Sequence, residues 1–180
     1  MATLTDSETA QFTSTEQLRA EARKHVEEGP ITPSYPDDRE VIIDQLNKAL
    51  ATEWTCVLRY RRHYYCATGI NSEPIKRHFL EHANEEQIHA GKLAERIVQL
   101  GGEPDLNPAN FLAKSHAQYV EGTSLVDMIK ENLIAERIAV DAYRELARFL
   151  GERDPTTRKI IEEILAQEEE HADELRDLLN

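Results

Sequence analysis

Residues 79–97 read Phe-Leu-Glu-His-Ala-Asn-Glu-Glu-Gln-Ile-His-Ala-Gly-Lys-Leu-Ala-Glu-Arg-Ile. At three- and four-residue spacing, one face of this stretch carries Phe79, His82, Glu86, His89, Leu93 and Ile97. That spacing predicts a helix with a core-facing stripe. The stripe is apolar at both ends and ionisable in the middle. Three other segments repeat the arrangement: Leu46, Leu50, Glu53, Val57, Tyr60 and Tyr64; Val126, Ile129, Leu133, Glu136, Val140, Tyr143 and Ala147; and Ile161, Ile164, Glu168, His171, Leu175 and Leu178. Each of the four core-facing glutamates falls near the midpoint of its segment.

Helix punctuation sets the boundaries. The first long helix is expected over residues 38–68, stopped near Gly69. The second opens with Ser72 as N-cap, tolerates Pro74 in its first turn and stops at Gly101-Gly102. The third opens at Ser124 and ends at Gly151. The fourth has Asp154 as N-cap and Pro155 at its first position, and runs almost to Asn180. Residues 1–37 form an N-terminal extension. Within it, Ser14-x-x-Gln17 is a capping box for a short helix to about Glu28, and Pro30, Pro33 and Pro36 mark a linker. Residues 38–180 are the bundle.

Connection lengths decide the topology. The first two helices, and the last two, are joined by about four residues, so each pair is an antiparallel hairpin. Residues 101–123 link the hairpins. An extended link of about 22 residues reaches up to ~73 Å, against ~42 Å for a 28-residue helix. It can cross the whole bundle and leave the middle two helices parallel. The fold expected is all-α, a four-helix bundle of two hairpins and one long crossover, with a short N-terminal helix.

In such a bundle the helix midpoints share one level, so Glu53, Glu86, Glu136 and Glu168 converge. Each buried ion costs several kcal/mol, and four carboxylates together repel one another as well. His89 and His171, each three residues after a glutamate, reach the same level on the same face. Two cations would relieve the repulsion, and oxygen and imidazole donors suit iron or manganese. The pattern is also internally repeated: Glu53 precedes Glu86 by 33 residues and Glu136 precedes Glu168 by 32, which implies a pseudo-two-fold axis. A single E-x-x-H is a weak signal. Two, each following a solitary core-facing glutamate at matching distance, are a strong one.

Other residues point elsewhere. Cys56 and Cys66 lie about 15 Å apart along one helix, too far for a disulfide, and no C-x-x-C pair offers a zinc or rubredoxin-type site. The formal net charge is −13, from 34 acidic and 21 basic side chains, a field that attracts cations and repels nucleic acid. No apolar run approaches membrane-spanning length and residues 1–6 lack signal-peptide character, so a cytoplasmic location is the expectation. His82, one turn before Glu86, is either a core histidine with a hydrogen-bond partner, the favoured reading, or a residue that supports the ligands or marks an entry site. His25, His63, His78 and His116 read as surface residues. Glu81 and Glu85 flank the stripe, on either a solvated face or a cage interior.

At Glu85-Glu86-Gln87-Ile88-His89, Ala135-Glu136-Arg137 and Glu168-Glu169-Glu170-His171, the chain resembles the bacterioferritins and Dps-like proteins of the ferritin-like superfamily, over residues 38–180. The resemblance implies two iron ions per subunit, with manganese or zinc as possible substitutes. Glu53 with His89, and Glu136 with His171, would be terminal ligands, and Glu86 and Glu168 would bridge. Tyr60 matches a tyrosine beside the centre of bacterioferritins. The haem-ligating methionine of that family is replaced by Gln87, so no haem is expected. Nine residues follow His171, too few for the fifth helix of 24-subunit ferritins, so a dodecamer is the expected homo-oligomer. The implied activity is that of a ferroxidase using O₂ or H₂O₂, for iron storage, detoxification and oxidative-stress protection. Two rivals stand beside it. One is a di-metal peroxidase or oxidase without mineral storage, marked by turnover of H₂O₂ without Fe(II). The other is a DNA-protecting structural protein, which a low-salt gel shift would reveal.

Overall fold

The computed structural model describes residues 12–180; the first eleven residues of the expected extension lie outside the described residues. Six α-helices are present among them: α1 (Thr15–Glu21), α2 (Arg39–Cys66), α3 (Ser72–Gln99), α4 (Pro108–Lys114), α5 (Leu125–Leu150) and α6 (Pro155–Asp177). The four long ones form the all-helical bundle read from the stripes. The middle of each stripe carries cross-helix pairs that fix direction. Tyr60 of α2 meets Glu136 of α5 while Tyr143 of α5 meets Glu53 of α2, so these helices are antiparallel. Tyr60 also meets His82, and Glu53 meets His89, which sets α2 antiparallel to α3. Helices α3 and α5 are therefore parallel, as a full-length crossover requires.

Capping explains where the helices begin. Ser124 accepts from the Asp127 amide to start α5, and Asp154 accepts from the Thr157 amide to start α6. Ser72 departs from expectation: it is the first helical residue of α3, Asn71 is the N-cap, and the Ser72 hydroxyl donates to the Gly69 carbonyl. The N-terminal helix is shorter than expected. The Ser14/Gln17 capping box forms, but the helix stops at Glu21 and a 3₁₀ turn over Val26–Glu28 follows. His25 adopts φ 50° at this break, a left-handed conformation that a continuing helix excludes. The crossover is not all extended. Asn107 caps α4 and Pro108 opens it, and Phe111 is buried against the bundle.

The interior separates into two apolar clusters. One, with Ile42, Leu46, Leu50, Leu93, Ile97 and Ile161, fills one end; the other, with Phe79, Met128, Ile129 and Leu175, fills the other. Val126 and Leu178, at the ends of their stripes, are exposed instead. Two buried arginine hydrogen-bond networks tie the hairpins together. Arg96 of α3 donates to both oxygens of Asp154 at 2.9 and 3.0 Å and to the Thr157 hydroxyl at 2.7 Å. Arg59 of α2 donates to Asn132 Oδ1 of α5 at 2.8 Å and to the Gln118 carbonyl of the crossover at 3.0 Å. No helix among the described residues is long and apolar enough to cross a membrane.

Candidate metal centre

Between the two apolar clusters lies a polar layer in which Glu53, Glu86, His89, Glu136, Glu168 and His171 are each no more than 2% exposed. All six sequence-selected side chains converge there. Donor atoms of Glu53, Glu86, His89 and Glu168 lie within 4.8 Å of one another, as do those of Glu86, Glu136, Glu168 and His171. Glu86 and Glu168 belong to both groups. His89 Nδ1 is 3.4 Å from Glu53 Oε2, 3.3 Å from Glu86 Oε2 and 3.0 Å from Glu168 Oε1. His171 Nδ1 is 3.4 Å from Glu86 Oε1 and 3.8 Å from Glu168 Oε2.

Both imidazoles are held the same way round. Their Nδ1 atoms face inward, while Nε2–H donates to Gln167 Oε1 from His89 and to Glu85 Oε2 from His171, each at 2.9 Å. Anchoring the outer nitrogen fixes the tautomer that leaves Nδ1 free to ligate. The carboxylates are steadied too. Tyr60 donates to Glu136 Oε1, and Tyr143 donates to Glu53 Oε1.

Five buried atoms of the layer have no well-directed hydrogen bond: Glu53 Oε2, Glu86 Oε1, Glu136 Oε2, Glu168 Oε1 and His171 Nδ1. Buried polar atoms are ordinarily satisfied, so five orphans aimed at one place fit a pair of bound cations. Electrostatics gives the same reading. Burial, then the charges of Glu86 and Glu168, push the carboxyls of Glu53 and Glu136 well above the usual range. Burial also works against Glu86, but its close contacts with Glu53, His171 and His89 overcome it and hold that carboxyl well below the range. Burial would lower both histidines, yet the surrounding glutamates dominate, raising His89 strongly and His171 to about 12. Protons thus stand in the layer where cations would.

The spacing alone puts Tyr143 in the core stripe. It follows Glu136 by seven residues, as Tyr60 follows Glu53, so the repeat carried its role. Two histidines read as surface residues are not. His63 is fully buried: its Nδ1 accepts from Asn132 Nδ2 at 3.0 Å, and its Nε2–H donates to the Val120 and Glu121 carbonyls at 3.2 and 3.1 Å. Burial and then Arg59 lower its pKa to about 4. His78 is half-buried, with Nε2 3.4 Å from Glu174 Oε2. His82 has the partners a core histidine needs, Tyr60 and Glu174, and also stacks on His171 at 4.0 Å between ring centroids. Cys56 is buried and Cys66 exposed, both as free thiols.

The fold and the layer together define a helical-bundle protein with a carboxylate–histidine centre inside one subunit. The ferritin-like domain family matches residues 43–180, and the chain belongs to it. It is 33% identical over 145 residues to a DNA protection during starvation protein from Pyrococcus furiosus, covering 79% of this chain and 78% of the relative. It is 30% identical over 142 residues to a bacterioferritin from Brucella melitensis, covering 77% and 83% respectively. Among solved structures, a dodecameric thioferritin, the bacterioferritin-related protein from Bacteroides fragilis, superposes with a TM-score of 0.76 at 37% identity, covering 79% of this chain and 86% of that one.

Proposed function

We propose that this chain is a ferroxidase that oxidises Fe(II) at the Glu53/Glu86/His89/Glu136/Glu168/His171 layer, for iron storage, detoxification and protection from oxidative stress in a homo-oligomeric cage. The observation that carries this reading is the set of five orphaned buried donor atoms converging between two apolar clusters.

Iron is the substrate: two Fe(II) give up one electron each, and either O₂ with two protons yields H₂O₂ or H₂O₂ with two protons yields two waters. The side chains supply the rest. Glu86 and Glu168, common to both donor groups, would be shared between the two positions, while Glu53 with His89 and Glu136 with His171 would complete one position each. Tyr60 and Tyr143 hold the terminal carboxylates, and Gln167 and Glu85 hold the histidines, so ligand geometry is set before iron arrives. The flanking apolar clusters keep bulk water out, which strengthens every charge interaction in the layer.

Stopped-flow oxidation of added Fe(II) tests the assignment. The Glu86→Ala/Glu168→Ala double variant should lose the fast phase, and equal rates in variant and wild type would refute the site. Native mass spectrometry should show twelve chains of 20.6 kDa, the assembly named for the Bacteroides fragilis relative. A DNA-protecting role is the second reading, favoured by the name of the Pyrococcus furiosus relative. The −13 charge opposes it, and a gel shift at low salt separates the two.

A further inference from the structure

Outside the six-ligand layer, helices α3 and α6 hold another cluster of ligating atoms. His82 Nε2 lies 3.0 Å from Glu174 Oε2, and His78 Nε2 lies 3.4 Å from the same oxygen. One donor atom from each of His78, His82 and Glu174 lies within 4.8 Å of the others, close enough to share one small divalent ion, whose bonds to imidazole nitrogen and carboxylate oxygen are about 2.0–2.2 Å. His78 and His82 are one helical turn apart, with ring centroids at 4.2 Å. The cluster sits in a surface cavity of about 190 Å³ that also reaches Glu85 and His171 of the inner layer.

Hydrogen-bond bookkeeping shows what the cluster lacks. Tyr60 donates to Glu136, and its hydroxyl oxygen also lies 3.0 Å from His82 Nδ1. His82 Nε2 is engaged with Glu174 Oε2 at 3.0 Å. His78 Nε2, beside it, is buried without a hydrogen-bond partner. Two imidazole nitrogens thus face one carboxylate oxygen, and one of them lacks a hydrogen-bond partner, an arrangement that a bound cation would complete.

The pseudo-two-fold axis supplies a built-in comparison. The 82-residue offset that carries Glu86 onto Glu168 carries His78 and His82 onto Ile160 and Ile164, and relates Glu174 to Lys92. Ile164 is fully buried, and Lys92 extends toward Glu163 at 4.0 Å. The His89 side of the layer is therefore closed by apolar groups and a positive charge, whereas the His171 side opens onto imidazoles and a carboxylate.

We propose that His78, His82 and Glu174 form a third metal site, for a divalent first-row cation, at the mouth of the layer. It delivers ions to the Glu136/His171 position, onto whose imidazole His82 stacks. The delivery role rests on the ferroxidase reading above; the binding site rests on its own three residues.

Cobalt(II), added without oxygen to the intact metal-free protein, tests this by equilibrium dialysis and by anomalous diffraction from crystals. Wild type should bind three ions per chain, with one peak between His78, His82 and Glu174. The His78→Ala/Glu174→Gln variant should bind two and keep both inner peaks. Inner peaks with no density at the mouth would overturn the third site and leave the ferroxidase reading standing. A third ion that survives the double variant would also overturn it. A mouth peak that persists in the Glu86→Ala/Glu168→Ala variant supports the outer site whatever the inner layer does.

Discussion

Loading the inner layer with two divalent ions should expel close to four protons per chain, and this number follows from the residues present. In the proton-only layer, Glu53 and Glu136 are held protonated by burial and by their anionic neighbours, and His89 and His171 by the glutamates around them. Each must lose its proton to ligate. Four positive charges arrive as four leave, so the buried charge of the layer is unchanged. With two protons displaced per ion, binding weakens by about 2.7 kcal/mol per ion, roughly a hundredfold, for each unit of falling pH. Calorimetric titration of zinc(II) into metal-free protein at about pH 6, in two buffers of different ionisation enthalpy, counts the released protons. Release of fewer than one proton per chain at saturation would refute the reasoning, because the layer would then hold its ions without emptying those four groups.

Three further outcomes follow from the same geometry. Tyr60→Phe and Tyr143→Phe each remove a donor to a terminal glutamate, so each should cost about 10–100-fold in metal affinity, and comparably, as read by competition with a chelating dye. Arg96→Ala leaves Asp154 as a buried, unpaired charge at the cap of α6, so urea denaturation should show a loss of about 3–5 kcal/mol. Metal-free protein should melt at progressively lower temperature as pH rises. The raised pKa of His171 contributes stability that is complete below 6.5 and is lost as pH rises toward about 12, whereas zinc-loaded protein should lack that slope.

The bundle and its six convergent side chains were legible because both depend on local periodicity. A stripe of period 3.6, interrupted at matching midpoints, is written within each helix. What escaped depends on partners distant in the chain. His63 reads as a surface histidine until Asn132 and the Val120 and Glu121 carbonyls are folded onto it. Arg59 and Arg96 give no sign of burial, since the groups that neutralise or accept from them come from the crossover and the other hairpin. The short helix α4 was hidden in a stretch whose Asn107-Pro108 start is also a turn signal. The pairing of His78 with His82 was open to inspection, but Glu174, which gives it meaning, lies on another helix.

The two hairpins contribute equally to the centre: Glu53, Glu86 and His89 from one, Glu136, Glu168 and His171 from the other. Ions bound there would act as a rivet across the joint between two half-molecules. Affinity for metal becomes a gauge of how firmly those halves are docked. By linkage, a substitution that loosens the joint, such as one at Arg59 where it grips Asn132 and the crossover, should register as weaker metal binding without touching a ligand. Conversely, chelation should raise hydrogen exchange first along the facing surfaces of α2 with α5 and of α3 with α6, ahead of the contacts inside either hairpin.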